Sequence, residues 1–174
     1  DAEKSLLGSI LIDKEAILRF VDFLQPEDFY SRAHQLIYQA ALALFEKREP
    51  IDLLSLSSKL EDMNKINDIG GIGYLTSLAS VVPTSAHAES YAKIVQRKKM
   101  LRDLLDASHH IAQLGHSEDE NVEEVMDQAE QRIFSISQRS IQQSFLPISK
   151  ALQDAFDRID RLHKGGAVLR GVTT

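Results

Sequence analysis

The sequence contains no cysteine, and it is poor in proline and glycine, with four and eight residues among 174. The absence of cysteine excludes disulfide bonds, thiolate zinc sites and a cysteine nucleophile. It is also compatible with a reducing compartment. The shortage of proline and glycine favours long regular elements over a turn-rich β-protein. The composition therefore predicts a globular domain that is held together by an apolar core rather than by covalent cross-links.

Long apolar runs and excess positive charge are also missing. No segment approaches the roughly 20 apolar residues that a membrane-spanning helix requires, and no signal-peptide pattern opens the chain. The formal net charge is −6, whereas domains that bind nucleic acid through its phosphates are usually basic. We therefore expect a cytoplasmic protein with no membrane partner, and we expect this surface to bind proteins rather than nucleic acid.

The apolar residues that are present recur every three or four positions almost throughout, which is typical of amphipathic helices. Ser31 and Asp52 are suitable N-caps for two of these helices, and Gly115 is a suitable stop for the longest one. The sequence therefore predicts an all-α fold. The predicted helices cover residues 2–12, 14–24, 32–48, 53–63, 74–78, 86–114, 121–136 and 148–163.

The helix predicted over residues 86–114 is about 43 Å long, more than a compact body of this size can cover. Its distal half should project, and the short connection to the helix at 121 predicts an antiparallel hairpin over residues 101–138. Two helices bury too little apolar surface to be stable alone, so we expect a second copy of the chain to complete the hairpin. The residues predicted for this self-association are Leu101, Leu104, Leu105, Ile111, Val122, Val125, Met126, Ala129 and Ile133.

A separate amphipathic helix is predicted after the hairpin. Residues 1–100 form the predicted helical body and residues 139–147 a polar linker, followed by the helix over residues 148–164. An isolated helix of this length is marginal in water, so we expect it to dock on another chain or domain. The residues predicted for this docking are Ile148, Leu152, Phe156, Ile159 and Leu162.

Catalytic and metal-binding patterns are weak. The glycines at positions 70, 71 and 73 favour a turn between helices over a phosphate loop, because no Lys-Ser/Thr pair follows them. Asp106 with His109, and Asp160 with His163, have the acid-x-x-His spacing of di-metal bundles, but the additional inward carboxylates are lacking. His34 is better explained as a structural histidine. The sequence therefore predicts no catalytic, metal-binding or cofactor-binding residues.

Two runs of like charge remain open to two explanations. Solvated helix faces explain them without any partner, whereas complementary attraction between subunits, or toward another protein, would give them a function. The basic run comprises Lys93, Arg97, Lys98, Lys99 and Arg102. The acidic run comprises Glu118, Asp119, Glu120, Glu123, Glu124, Asp127 and Glu130.

Four segments together carry a resemblance that spans nearly the whole chain. They are AEKSLLGSILID at 2–13, EDFYSRAHQLIYQAALALFEKREPIDLLSL at 27–56, GGIGYLTSLASVVPTSAHAESYAKIVQRKKMLRDL at 70–104 and LRGVTT at 169–174. In their order and spacing the chain resembles the N-terminal domain and linker helix of the bacterial DnaB-family replicative DNA helicases. This resemblance implies that residues 165–174 begin a RecA-like ATPase domain.

The resemblance also implies functions. In that family the N-terminal domains form a collar, a trimer of dimers joined through the hairpins, which recruits primase and in some species engages a helicase loader. The linker helix is expected to pack on a neighbouring motor domain. ATP, magnesium and most contacts to single-stranded DNA are expected in the motor domain, so this chain itself is expected not to be an enzyme. The alternative is an unrelated all-helical adaptor or regulator that acts through protein contacts.

Overall fold

A computed structural model describes residues 1–116 and 121–142. The chain divides into two compact units, residues 1–136 and 137–174, and the description below concerns the first. Within the described residues there is no strand, in agreement with the predicted all-α fold. The α-helices are α1 (Ala2–Ile12), α2 (Arg32–Glu46), α3 (Leu53–Asp62), α4 (Gly71–Ala79), α5 (Ala88–Leu114) and α6 (Val122–Gln142).

Helix α1 lies at the centre of the helical body and packs against α2, α4 and α5. Leu6, Leu7 and Ile10 are almost completely buried there. A Cβ atom on Gly8 would collide with the main-chain carbonyl of Leu78, so this glycine is what allows α1 and α4 to approach so closely. The other large, fully buried side chains of the core are Ile17, Phe20, Leu24, Phe29, Ile37, Tyr38, Leu56, Leu60 and Leu75.

The segment between α1 and α2 differs from the regular helix that its spacing predicts. It forms a short 3₁₀ helix at Ala16–Arg19 and a second one at Pro26–Asp28. The first has hydrogen bonds between residues three positions apart, for example from the Phe20 N–H to the Ile17 carbonyl at 3.1 Å. Such turns are frequent in connecting segments. The prediction failed because the inward-facing residues are spaced as in a helix, while the path of the chain is set by packing.

Helix boundaries follow the predicted caps closely. The Asp52 carboxylate accepts the N–H of Ser55 at 2.8 Å, and the Ser55 hydroxyl oxygen accepts the N–H of Asp52 at 3.0 Å, so α3 begins with a reciprocal capping box. Helix α2 begins after Ser31, as predicted, although no capping bond from that side chain is present. It ends at Glu46, two residues early, and Arg48 adopts a left-handed φ of 58°.

The end of α5 differs in detail from the expectation. Gly115 does follow the last helical residue, but its φ is −67° and its N–H still bonds to the carbonyl of Ile111. The left-handed conformation that commonly makes glycine useful at a helix end is therefore not used here. Among the described helices, none is both long and apolar enough to cross a membrane.

Candidate self-association surface

Helix α5 has two halves with different surroundings. In the first half Ala88, Ala92 and Val95 are buried against the body. Two polar side chains join this half to the segment between α1 and α2: Gln96 donates to the carbonyl of Phe23 at 3.1 Å, and Arg102 donates to the carbonyl of Asp28 at 2.6 Å. Beyond Arg102 the only described α5 side chains that are buried are Ala107 and Leu114.

Helix α6 lies alongside the distal half of α5. It begins where the Asn121 side chain accepts the N–H of Glu123 at 3.2 Å. His110 of α5 lines a surface groove of about 330 Å³ together with Gln128, Gln131, Arg132 and Ser135 of α6. Because α5 ends at Leu114 and α6 begins at Val122, the connection is short, and two neighbouring helices joined in this way run antiparallel and form a hairpin.

Most of the predicted self-association residues are exposed on this hairpin. Leu101, Leu104 and Leu105 are three and four residues apart, so they occupy one face of α5. Four other apolar residues of the hairpin are half-buried: Val125, Ala129 and Ile136 on α6, and Ile111 on α5. We call the exposed set the hairpin apolar face, and its members are 47–74% exposed: Leu101, Leu104, Leu105, Val122, Met126 and Ile133.

Two further apolar residues, Phe134 and Ile94, are exposed although they were not predicted as surface residues. Phe134, which is 61% exposed, lies on α6 away from the main apolar stripe. Ile94, in the first half of α5, is 45% exposed. Helical spacing places Ile94 on the apolar face of α5, but spacing alone does not tell whether another helix covers that part of the face.

The basic run on α5 is partly neutralised inside the chain. Lys99 pairs with Asp103, and Lys93 pairs with Glu89 at 2.6 Å. The guanidinium of Arg102 lies 5.5 Å from the centre of the Tyr30 ring, a favourable cation–π position. Arg97 and Lys98 are exposed and form no ion pair within the described residues.

The described part of the acidic run lies on the first half of α6. Its four residues there are all exposed, and Glu123 and Glu124 occupy the first turn. Acidic side chains at a helix N-terminus are favourable by themselves. The members in the described part are Glu123, Glu124, Asp127 and Glu130.

A groove opens where α5 leaves the body. Its volume is about 500 Å³, and we call it the root groove. Tyr30, 78% exposed, forms part of its wall. Its lining combines apolar walls with three basic side chains: Asp1, Ala2, Glu3, Lys4, Tyr30, Ser31, His34, Ile94, Val95, Lys98 and Arg102.

His34 forms a hydrogen-bonded chain that joins three helices of the body. Its Nδ1 lies 2.5 Å from the Glu3 carboxylate of α1, and its Nε2 lies 2.7 Å from the Tyr74 hydroxyl of α4. A carboxylate can only accept, so Nδ1 carries a hydrogen, and Nε2 of a neutral ring accepts from the tyrosine. The second Glu3 oxygen accepts the N–H of Tyr30 at 2.5 Å.

The electrostatics of this network match a structural role. Burial tends to raise the pKa of Glu3, but the bonds from His34, Tyr30 and Ser31 lower it overall. Burial, together with the Glu3 charge, raises the pKa of Tyr74, so its hydroxyl stays protonated at neutral pH and is not activated as a nucleophile. The interpretation of His34 as a structural histidine is consistent with this geometry.

The remaining candidate residues are not brought together. Asp106 and His109 are both exposed on α5, and the described residues contain no cluster of three His, Asp or Glu side chains suited to a metal ion. Asp160 and His163 lie outside the described residues. So do the docking residues predicted for the separate amphipathic helix, Ile148, Leu152, Phe156, Ile159 and Leu162.

Comparison with known proteins identifies relatives of the whole chain. A family model described as "DnaB-like helicase N terminal domain" matches residues 1–97. The Bacillus subtilis replicative DNA helicase DnaC is 37% identical over 174 residues, which is all of this chain but 38% of that relative's length. The chain therefore spans less than half the length of this relative.

Two solved structures have a similar fold. The crystal structure of the N-terminal domain of the DnaB helicase from Mycobacterium tuberculosis matches with a TM-score of 0.74 and 40% identity. This match covers 77% of the present chain and 94% of that one. A DnaB-like replicative helicase, described together with its interactions with primase, matches with a TM-score of 0.65 and 24% identity. It covers 91% of this chain and 34% of the larger one, and it supports the fold alone.

Proposed function

Because the chain belongs to the family of DnaB-like helicase N-terminal domains, we propose that it is the collar and interaction domain of a hexameric replicative DNA helicase. Membership of this family excludes the alternative of an adaptor unrelated to helicases. The matched family model describes the N-terminal domain rather than a motor domain. In the proposed function the chain therefore binds other proteins, while ATP, magnesium and single-stranded DNA are handled by the motor domain and the complete ring.

Self-association is the first part of this proposed function, and the hairpin apolar face supports it. Six large apolar side chains, 47–74% exposed, lie on two adjoining helices. Burying one such side chain completely is worth about 1.5–3 kcal/mol, so covering the face with an identical hairpin would be strongly favourable. A two-fold pairing of hairpins gives a dimer, and three such dimers give the six-membered collar.

Recruitment of primase is the second part. It is supported by the membership of this chain in the family of DnaB-like helicase N-terminal domains. In this proposal the collar also presents the surface to which a helicase loader binds in species that use one. The helix predicted over residues 148–164 would link the collar to the motor domain of an adjacent subunit.

Self-association can be tested with two charges placed in the hairpin apolar face. We expect the wild-type chain to be dimeric or larger by light scattering coupled to gel filtration. The double variant Leu105→Asp with Ile133→Asp should be monomeric with unchanged helical content, because a buried unpaired carboxylate opposes association. Leu54→Asp is the matched control, since Leu54 is 80% exposed on α3, outside the hairpin. A wild type that stays monomeric at high concentration would contradict self-association.

Primase recruitment requires a separate measurement. The wild-type chain should bind the C-terminal domain of the primase from the same organism in isothermal titration calorimetry, with saturation at a defined ratio. A wild type that self-associates but gives no heat with this primase domain would remove primase recruitment from the proposal and leave self-association intact.

A further inference from the structure

The groove between α5 and α6 differs in its lining from the root groove. It has a volume of about 330 Å³, and we call it the polar groove. The root groove contains carboxylates and apolar side chains, whereas the polar groove contains neither. The side chains that line it are His110, Gln128, Gln131, Arg132 and Ser135. Each of them can donate a hydrogen bond, and none carries a negative charge.

Most of these donors have no partner within the described part of the chain. The exposed side chains of His110, Gln128, Gln131 and Arg132 form no hydrogen bond or ion pair with another described residue. The Ser135 hydroxyl is the exception, because it donates to the carbonyl of Arg132 at 2.8 Å. A neutral histidine ring retains one N–H, and a guanidinium is always charged. The polar groove therefore presents unpaired donors and a full positive charge to a ligand.

The polar groove and the hairpin apolar face point in different directions. Each residue of an α-helix is turned about 100° from the one before it. His110 follows Leu105 by five residues, so it is turned about 140° away from that leucine. On α6, Gln131 follows Met126 by five residues and is turned away by the same angle. Covering the hairpin apolar face would therefore leave the polar groove open.

The direction of the donors decides which anion fits the polar groove. His110 reaches it from α5, whereas Gln128, Gln131 and Arg132 reach it from α6. A carboxylate has its two oxygens in one plane, but a phosphate group directs its oxygens to several sides and carries more negative charge at neutral pH. Donors on both walls of a groove are thus better satisfied by a phosphate group. We propose that the polar groove binds one phosphate group, from inorganic phosphate or a small phosphate ester, and that this ligand joins α5 to α6.

Acidic side chains limit the size of this ligand. Asp106 lies one turn before His110 on α5, and Glu124 lies one turn before Gln128 on α6. Because the two helices run antiparallel, these acids lie beyond opposite ends of the polar groove. A long polyanion would pass close to both carboxylates, and the net charge of −6 would also oppose it. A single phosphate group in the middle of the groove stays about one helical turn away from each acid.

Such a ligand would stabilise the hairpin, because it contacts both of its helices. A ligand that binds only the folded form stabilises that form by mass action. Amide exchange in α6 should therefore slow down when phosphate is bound, whereas sodium chloride of the same ionic strength should have no such effect. Exchange that phosphate and chloride slow equally would overturn the link between the two helices.

Binding can be measured by nuclear magnetic resonance on the isotope-labelled chain at neutral pH and constant ionic strength. Inorganic phosphate and glycerol 3-phosphate should each shift the side-chain signals of Gln128, Gln131 and Arg132, with saturation at millimolar concentrations. The tighter binder of the two identifies the source of the phosphate group. Acetate is the control ligand and should bind at least about tenfold more weakly. Shifts that do not saturate, or equal binding of acetate, would overturn the proposal.

Substitutions on the two helices test which side chains hold the ligand. Arg132→Gln should weaken phosphate binding about tenfold, because it removes a charge-assisted hydrogen bond. His110→Ala should weaken it about threefold, because a neutral hydrogen bond contributes less. Arg97→Gln makes the same change as Arg132→Gln at an exposed site in the first half of α5, so it is the matched control and should bind like the wild type.

Circular dichroism checks that each of these variants keeps its helical content. Equal phosphate binding by Arg132→Gln and Arg97→Gln would overturn the site. Wild-type binding by His110→Ala would show that α5 takes no part in it, and the ligand would then not join the two helices.

Two further measurements separate this site from self-association and from nucleic-acid binding. The affinity for phosphate should not change with protein concentration, because the polar groove stays open when the hairpin apolar face is covered. Affinity that follows the degree of association would overturn this independence. A single-stranded oligonucleotide should not displace phosphate. An oligonucleotide that binds more tightly than phosphate, and whose binding Arg132→Gln abolishes, would replace the proposal with a nucleic-acid site.

Discussion

The body and the hairpin have the same helical spacing of apolar residues, but these residues are buried in the body and exposed on the hairpin. In the body, Leu6, Phe20 and Tyr38 are completely buried. In the hairpin, Leu104 and Leu105 are 52% and 61% exposed, although they lie in an equally regular helical stripe. The difference teaches that periodicity identifies which face of a helix is apolar, but it does not identify what covers that face.

The number of packing partners explains this difference. Helix α1 is contacted by three other helices, α2, α4 and α5, and its apolar residues Leu6, Leu7 and Ile10 are buried. In the described part of the hairpin, α5 and α6 cover only the narrow stripe that each turns toward the other. In this half of α5, Ala107 and Leu114 are buried, whereas Leu101, Leu104 and Leu105 are exposed.

The largest expected effect compares the same substitution in the two regions. In the monomeric Leu105→Asp/Ile133→Asp background, Leu6→Ala should lower the free energy of unfolding by about 2–5 kcal/mol, because it leaves a cavity in the core. Leu104→Ala in that background should cost less than about 0.5 kcal/mol, because an exposed side chain loses few contacts. Urea denaturation followed by circular dichroism measures both values. Similar costs at the two positions would abolish the distinction between body and hairpin.

A smaller effect concerns the buried polar network, which only the body possesses among the described residues. Glu3→Gln should cost about 1–3 kcal/mol at neutral pH, because a charged acceptor of several hydrogen bonds is lost. The pKa of Glu3 is lower in the folded chain than its ordinary value of 4.5. The unfolded chain therefore binds the proton first, and the contribution of Glu3 is lost as the pH falls below about 4.5.

This pH dependence is measured by urea denaturation between neutral and acidic pH. The wild type should lose more stability than Glu3→Gln as the pH falls through this range. Glu61→Gln, at an exposed position on α3, is the matched control and should follow the wild type. Parallel pH curves for wild type and Glu3→Gln would mean that the network does not couple to folding.

The smallest effect compares one helix cap from each region. Asp52→Ala should lower the stability of the body by about 1 kcal/mol, since the N–H of Ser55 loses its acceptor. Asn121→Ala removes the corresponding acceptor at the start of α6, yet it should change global unfolding by less than about 0.5 kcal/mol, because α6 packs on α5 alone in the described body–hairpin unit. Amide exchange should instead become faster at the start of α6. A global loss equal to that of Asp52→Ala would show that the hairpin unfolds together with the body.

Several features of the candidate site followed from local rules of the sequence. The exposed residues of the hairpin apolar face were predicted from their helical spacing. The hairpin itself was predicted because the helix over residues 86–114 is too long for the body and is followed by a short connection. The Asp52 cap was predicted because it needs only residues that are three positions apart. Such interactions depend on neighbours along the chain, so the sequence specifies them directly.

Other features depended on residues distant in sequence. The Glu3–His34–Tyr74 network joins positions 31 and 40 residues apart, and no local pattern indicates it. The role of Gly8 likewise depends on the approach of Leu78 from another helix. The prediction of a regular helix over residues 14–24 was wrong for a related reason. The spacing of its apolar residues is helical, but the path of the chain is set by contacts with residues distant in sequence.

For residues 1–116 and 121–142, the sequence by itself determined that the fold is all-helical, where most helices begin and end, and which faces are apolar. Hydrogen bonding within helices and capping are local interactions. The order and spacing of its segments also indicated its resemblance to the N-terminal domains of replicative helicases. Only the tertiary structure decided which apolar faces are enclosed by the body and which remain exposed on the hairpin. Burial is a property of the whole packing arrangement, since it depends on how many helices converge on a given face.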